Sequence, residues 1–330
     1  MAISKRQWAN WGGLPGAHRC AEKRGKSRSN IFREEISAGP VPLSLGKTLF
    51  LRVLIFDLRE TRREFLHLPK SALCFLLIAF FPPNVTTMNR EIHTWFSPRL
   101  NKNMEVAVYG HFGFALLMLP TAAADYLEYE RFQLIDALRP SIEAGKVKVF
   151  SINSINSEAW LNNRMNPRHK AIRHQQFNAY VEHEVVPFIR THNGGETPII
   201  TTGASLGALH AANMFFRRPD LFAGTIAMSG VYDLTDYTKG YFDEDVYFNS
   251  PCHYLPNLGD ENYLNRLRSS QHIHILSGSG NYEAPEASRR LSNILAGKGV
   301  QHELDIWGAD MAHDWPTWRA MLPYILESRF

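Results

Sequence analysis

A serine set between two glycines carries the strongest chemical signal in this sequence. The stretch is Thr201-Thr202-Gly203-Ala204-Ser205-Leu206-Gly207-Ala208-Leu209-His210. An apolar run (Pro198-Ile199-Ile200) lies behind it, and residues that favour a helix, Ala208 to Arg217, follow. This is G-x-S-x-G at a strand-to-helix junction, the nucleophile-elbow pattern. A serine hydroxyl is a poor nucleophile until a base accepts its proton. A sharp, strained turn serves that chemistry by lifting the hydroxyl clear of the sheet. Side chains two residues to either side would run into the neighbouring strand and helix, so Gly203 and Gly207, with Ala204 and Ala208, keep that space open.

The base must come from elsewhere in the chain. Of the 14 histidines, His313 stands in a loop (Gly308-Ala309-Asp310-Met311-Ala312-His313-Asp314-Trp315) after the last expected strand and before the last expected helix. A chain order of serine, acid, histidine favours it. His210 is expected to point along the helix that follows the serine, and His111 to be structural or pocket-lining. The acid that orients the imidazole belongs in a loop after a late strand. Glu283 fits, in Ser277-Gly278-Ser279-Gly280-Asn281-Tyr282-Glu283, and Asp233, one strand earlier, is the alternative. Asp310 and Asp314 sit too near His313 along the chain and are expected to be solvated. Donors for a developing oxyanion are expected from the backbone N–H of Leu206 and from Thr121 or Ala122 in the small-residue loop Pro120 to Asp125. Tyr126, Trp160 and Trp315 are candidates for the wall of an acyl or alcohol pocket.

Other chemistries lack their spacing. The sequence has no G-x-G-x-x-G after a strand, no G-x-x-x-x-G-K-[ST] and no H-E-x-x-H. Gly278-Ser279-Gly280 lacks the pattern that a phosphate loop needs. Cys20, Cys74 and Cys252 are far apart, with no metal-ligand spacing, which suits a reducing compartment. No cofactor and no metal are expected. The formal net charge of +4 is unevenly placed: residues 1–87 hold 14 Lys/Arg against 6 Asp/Glu, leaving 22 against 26 for the other 243. The part with the ordered motifs is therefore slightly acidic and offers no basic face for nucleic acid. The longest apolar run, Ala72 to Phe81, is about half of what a membrane helix needs, so a soluble, cytoplasmic protein is expected, with a small-molecule partner.

The elements that must position these residues read as an alternation. Strands are expected at Glu91 to Phe96, Met104 to Tyr109, Phe114 to Leu119, Lys146 to Ile152, Thr197 to Thr202, Thr225 to Ser229, His272 to Leu276 and His302 to Trp307. Helices are expected at Arg131 to Ala144, Arg168 to Arg190, Ala208 to Arg217, Pro285 to Lys298 and Trp315 to Leu326. Short apolar central strands alternating with helices predict an α/β fold, a mostly parallel sheet covered on both faces. Ligands of such sheets bind beyond the carboxyl ends of the strands, where Ser205 would lie. Residues 1–87 lack this order, apart from a candidate strand at Leu49 to Leu58 and a candidate helix at Glu60 to Leu68. They are expected to be an extension outside the fold, with Met88 as the start of the working domain, 88–330.

Residues from about Met88 to Arg329 resemble the serine esterases of the α/β-hydrolase superfamily, the group that includes esterase D (S-formylglutathione hydrolase), feruloyl esterases and mycolyltransferases. The resemblance rests on Gly203-Ala204-Ser205-Leu206-Gly207 with Ala208 to Phe216, and on Met228-Ser229-Gly230-Val231-Tyr232-Asp233. It continues through Tyr247-Phe248-Asn249-Ser250-Pro251 and Tyr254-Leu255-Pro256-Asn257-Leu258, and ends on Ala312-His313-Asp314-Trp315-Pro316. It implies an α/β-hydrolase fold with a minimal lid and a Ser–acid–His mechanism without a cofactor, with Ser205 and His313 as two of the three members. Many relatives place an aspartate where this chain has Tyr282-Glu283. The expected activity is carboxylic-ester hydrolysis through an acyl-enzyme. The alternatives are an acyltransferase using the same triad and a non-catalytic binding protein that keeps the fold.

Overall fold

The computed structural model describes residues 88–330. The expectations for residues 1–87, including the extension, the strand at 49–58 and the helix at 60–68, lie outside the described residues. From Arg90 the chain forms β1 (Arg90–Ser97), β2 (Lys102–Tyr109) and β3 (Phe114–Leu119). Three short helices follow, α1 (Glu128–Arg131), α2 (Leu134–Ala137) and α3 (Arg139–Glu143), and then β4 (Val147–Ile152). Next come α4 (Pro167–Tyr180), α5 (Val186–His192), β5 (Ile199–Ala204), α6 (Leu206–Arg217) and β6 (Gly224–Met228). Four short helices then intervene: α7 (Thr235–Thr238), α8 (Glu244–Phe248), α9 (Pro251–Tyr254) and α10 (Glu261–Ser269). The chain closes with β7 (His272–Ser277), α11 (Pro285–Gly297), β8 (Glu303–Ile306) and α12 (Trp315–Arg329).

All eight strands join one sheet in the order β1-β2-β4-β3-β5-β6-β7-β8. β2 runs antiparallel to β1 and β4, and the other pairings are parallel. Successive side chains of a strand point to opposite faces, and β3 shows why its run is continuously apolar. Ala115, Leu117 and Leu119 enter the core beneath α4, α5 and α6, whereas Leu116 and Met118 enter the core beneath α1–α3 and α12. The sheet is thus covered on both sides, as its sequence predicts, and among the described residues no helix is long and apolar enough to cross a membrane.

Two expected helices are interrupted. The segment expected as one helix from Arg131 to Ala144 is three pieces: Gln133 turns left-handed at φ 62°, and Pro140 opens α3. The long helix over 168–190 widens into a π turn at Val181–Val185, where the Val186 N–H donates to the Val181 carbonyl. Pro187 lacks the N–H that a regular turn would use there. Of the helices between β6 and β7, α7 to α9 are only four or five residues long, too short to show an apolar period, whereas α10 buries Leu264 and Leu267. The segment is anchored by apolar side chains such as Phe248, Tyr254 and Leu255 in the core and by polar contacts: buried Asn249 accepts from Asn178 (2.7 Å), Asn213 (2.9 Å) and Arg217 (3.1 Å), tying it to α4 and α6.

Candidate active site

Ser205 sits between β5 and α6 with φ 56° and ψ −122°, a backbone state costly for a residue with a Cβ. The flanking glycines make the turn possible by space. A Cβ on Gly203 would meet the Gly207 carbonyl carbon and oxygen at 2.4 Å, and one on Gly207 would meet the Leu119 oxygen at 2.3 Å. Both obstacles are backbone, so neither moves cheaply. The turn is also tied into the sheet, since the Ser205 N–H donates to the Met228 carbonyl at 3.0 Å. Buried Tyr129 braces it from below: its hydroxyl donates to the Leu119 carbonyl (2.6 Å) and accepts from the Ala204 N–H (3.3 Å).

Across the carboxyl ends of the strands, His313 Nε2 lies 2.9 Å from Ser205 Oγ. On its other side His313 Nδ1 lies 3.5 Å from Glu283 Oε2, at the outer limit of a hydrogen bond and within reach of a small rotation. The Glu283 side chain is 1 % exposed and that of His313 25 %. Burial alone would push the Glu283 carboxyl up. Hydrogen bonds from His313 and Ser229, the nearby imidazole charge and Ser277 outweigh it and bring the carboxyl below the usual glutamate range. Ser229 donates to Oε1 at 2.6 Å and itself accepts from the Trp318 indole at 3.0 Å, while Ser277 Oγ is 3.2 Å from Oε2. Ser229 and Ser277 follow or end β6 and β7, and Trp318 lies in α12. Sequence reasoning missed all three. The available signal was a hydroxyl at the carboxyl end of each strand flanking the acid loop.

The acid loop and the histidine loop are laced together through backbone. Gly280 N–H donates to the Met311 carbonyl (2.9 Å), His313 N–H to Asn281 (2.9 Å) and Trp307 N–H to Ser277 (2.8 Å). Gly278 and Gly280 face the opposite loop so closely that a Cβ would stand 2.0 Å and 2.7 Å from the Met311 oxygen. These glycines serve close loop-to-loop approach.

Other expectations fall out differently. Asp233, the alternative acid, pairs with Arg290 at 2.7 Å and caps the Thr235 N–H at 3.1 Å, away from His313. Thr121 is a weaker oxyanion candidate than Ala122, because its N–H donates to Glu128 Oε2 (2.9 Å) and its hydroxyl to Oε1 (2.5 Å). Leu206 is the first residue of α6, where an N–H has no carbonyl one turn back to bond. His111 is exposed in the β2–β3 turn, at the amino ends of the parallel strands and far from Ser205. His210 is buried and bonded to His174 and Asn156. Asp310 is exposed, and Asp314, also exposed, caps α12 by accepting from the Trp315 N–H at 2.7 Å. Among the pocket candidates, Trp160 is 2 % exposed and part of the interior. Tyr126 packs on the core beneath α1–α3 and α12. Trp315 stacks on Phe132 at 4.3 Å and meets Trp318 edge-on at 5.0 Å, and Trp318 meets the His313 ring edge-on at 5.2 Å. Among the described residues, one group with a metal-type donor set exists: Glu91, His93 and His192, with donor atoms within 4.8 Å of one another. It lies at β1, four strand spacings from β5, or roughly 20 Å.

Residues 133–328 match the family model Esterase, described as "Putative esterase". No curated protein matches the sequence. Solved structures of the same fold include a ferulic acid esterase, with 18% identity and TM-score 0.58 over 73% of this chain and 99% of that one. Another is the S-formylglutathione hydrolase FrmB of Staphylococcus aureus (14%, TM-score 0.56, 74% of this chain and 97% of that one). A third is MPT51 (FbpC1) of Mycobacterium tuberculosis (16%, TM-score 0.55, 73% and 97%). At such identities the likeness establishes the fold, which is that of the α/β-hydrolases. The family match spans more than half of the sequence, and with it the chain belongs to the Esterase family, as a serine esterase with the α/β-hydrolase fold.

Proposed function

We propose that the protein hydrolyses carboxylic esters through an acyl-enzyme, with Ser205 as nucleophile, His313 as general base and acid, and Glu283 as the acid that orients His313. Ser205 Oγ attacks the ester carbonyl while its proton passes to His313 Nε2. The carbonyl oxygen, now negative, is received by the N–H groups of Leu206 and Ala122. Collapse of the tetrahedral species breaks the C–O bond, and His313 returns its proton to the leaving alcohol. A water then attacks the acyl-serine, gives its proton to His313 Nε2, and the acid leaves as Ser205 recovers its hydrogen. Glu283 holds the Nδ1–H tautomer that keeps Nε2 free to accept, and its charge stabilises the imidazolium. No step calls for a cofactor.

The observation that carries this reading is the 2.9 Å contact between Ser205 Oγ and His313 Nε2 at a turn of φ 56°. A panel of p-nitrophenyl esters, from acetyl to long acyl and feruloyl, tests it on the wild type and Ser205→Ala. Turnover by the wild type that the variant loses is the expected result; turnover that survives places the chemistry elsewhere. Adding acceptor alcohols to the same assay separates hydrolysis, with free acid as product, from acyl transfer, with transesterified product. A serine-directed phosphonate that left Ser205 unlabelled would favour the non-catalytic reading. Residues 88–330 make up the working domain in this proposal, and a chain of those residues alone is expected to fold and keep turnover.

A further inference from the structure

A line of buried side chains runs behind α6 to the loop after β3. The Trp160 indole Nε1 lies 3.2 Å from His174 Nδ1, and His174 Nε2 lies 3.1 Å from His210 Nδ1. His210 Nε2 is 2.8 Å from Asn156 Oδ1, and Asn156 Nδ2 donates to the Thr121 carbonyl at 3.2 Å. All four side-chain residues are at most 2 % exposed. The direction of the line follows from its first member. An indole N–H only donates, so His174 Nδ1 must accept and its Nε2 must carry the hydrogen. That hydrogen goes to His210 Nδ1, which leaves Nε2–H on His210 to donate to the Asn156 oxygen. The Asn156 amide then has its N–H free for Thr121. Every donor points the same way, and both imidazoles are neutral Nε2–H tautomers. Burial favours the same state: it lowers His210 to about 4 and holds His174 well below the usual histidine range.

The line ends on a peptide that matters. The Thr121 carbonyl and the Ala122 N–H belong to one planar trans peptide and point in opposite directions. Fixing the carbonyl toward Asn156 therefore aims the Ala122 N–H away from the buried line. Glu128 holds the other half of Thr121 through its N–H and hydroxyl, so the peptide cannot rotate to follow a substrate. Among the described residues the Ala122 N–H has no acceptor of its own. We infer that Asn156, backed by His210, His174 and Trp160, is a positioning residue that orients and polarises the Thr121–Ala122 peptide as an oxyanion donor. Hydrogen bonds aligned head to tail strengthen one another, by roughly 10–30% per bond, so the chain makes Ala122 a better donor as well as a fixed one. The inference rests on the proposed role of Ala122.

Asn156→Ala tests it against p-nitrophenyl acetate and a trifluoromethyl ketone, whose hemiketal oxyanion occupies the donors only after addition of Ser205. The expected result is a fall in kcat of about 10²-fold with KM changed by less than about threefold, and a parallel loss of ketone affinity. A folded Asn156→Ala with wild-type kcat and ketone affinity overturns the inference. If Ser205→Ala keeps turnover, the ester-hydrolase reading beneath it falls instead; if Ser205→Ala is dead while Asn156→Ala is fully active, only the positioning role falls. Should Asn156→Ala not fold, imidazole ¹⁵N spectra of the wild type decide. His174 and His210 are expected as neutral Nε2–H between about pH 6 and about pH 8, and an Nδ1–H form of either overturns the chain.

Discussion

Among the described residues three carboxylates lie against histidine, Glu303 with His274 at 3.2 Å, Glu91 and Glu283, of which only the last is built like a catalytic centre. On β1, the Glu91 Oε2 lies 2.9 Å from His93 Nε2 and 3.1 Å from His192 Nε2. At the carboxyl ends of the strands, Glu283 meets His313 at 3.5 Å. Both carboxyls lie below the usual glutamate range, Glu91 at about 2 chiefly through its hydrogen bonds from His192, Asn89 and His93. A depressed carboxyl therefore does not distinguish the two. Environment does. The Glu91 side chain is 37 % exposed and that of Glu283 1 %. Glu91 shares its charge between two imidazoles that lead nowhere. Glu283 gives one oxygen to Ser229 and shares the other between Ser277 and a single imidazole, whose far nitrogen touches a hydroxyl on a strained turn. The pair is common; the third member and the dry acid are what the proposed chemistry requires beyond it.

That contrast breaks most sharply at the third member. Ser205→Ala leaves His313 and Glu283 in place, so the proposed catalytic pair comes to resemble the β1 cluster. The expected loss is roughly 10⁶-fold in kcat, read on p-nitrophenyl acetate, with the fold unchanged by circular dichroism. Glu283→Gln keeps shape and removes the charge. About 10⁴-fold is expected to go, because the imidazole loses the partner that fixes its tautomer. If Glu283→Gln costs no more than Asp233→Asn, the acid assignment is wrong.

The next effect concerns distance. A Cβ at Gly278 meets the Met311 carbonyl at 2.0 Å, so Gly278→Ala must push the acid loop from the histidine loop. A displacement of about 1 Å at a catalytic group costs on the order of 10²-fold. The variant is expected to show that loss in kcat at nearly wild-type KM, checked by steady-state kinetics. An unchanged kcat would mean that the loops tolerate separation and that the glycines serve folding alone.

How much of this was readable in the sequence depended on whether a residue acts locally. The turn at Ser205 was legible because its need for small neighbours at positions two apart is written into five residues, and Gly203 and Gly207 meet backbone where that need predicted. The eight strands were legible for a similar reason, as runs such as Phe114 to Leu119 are apolar on both faces. The three-piece helix after Glu128 was not, because Gln133 adopts a left-handed turn that no glycine or asparagine announces. Ser229, Trp318 and Asn156 were invisible for another reason. Their partners lie 54, 89 and 35 residues away in the chain, and a serine, tryptophan or asparagine has no spacing rule until the fold supplies the partner. Glu283 stood between: chain order after β7 suggested it, but setting it apart from Asp233 took the fold, which brings Glu283 to 3.5 Å from His313 and pairs Asp233 with Arg290.

The smallest effect is expected at the other cluster, and it concerns stability. Glu91 titrates at about 2 in the folded chain against an ordinary value of 4.5. A carboxyl depressed by folding stabilises the native state while it is ionised, above the ordinary value, and that contribution is lost as pH falls toward the folded one. Glu91→Gln removes the linkage, so the gap between wild type and variant should be open at neutral pH and narrow between about pH 4.5 and about pH 2. Because the side chains of Glu91 and His93 are more than a third exposed, solvent screening holds the gap to about 1 kcal/mol or less. Urea unfolding of both proteins across that range reads it directly. Ester turnover at neutral pH should be the same in both, since the cluster is about four strand spacings from Ser205. A loss of kcat in Glu91→Gln would tie the outer edge of the sheet to the chemistry and remove the distinction between the two carboxylates.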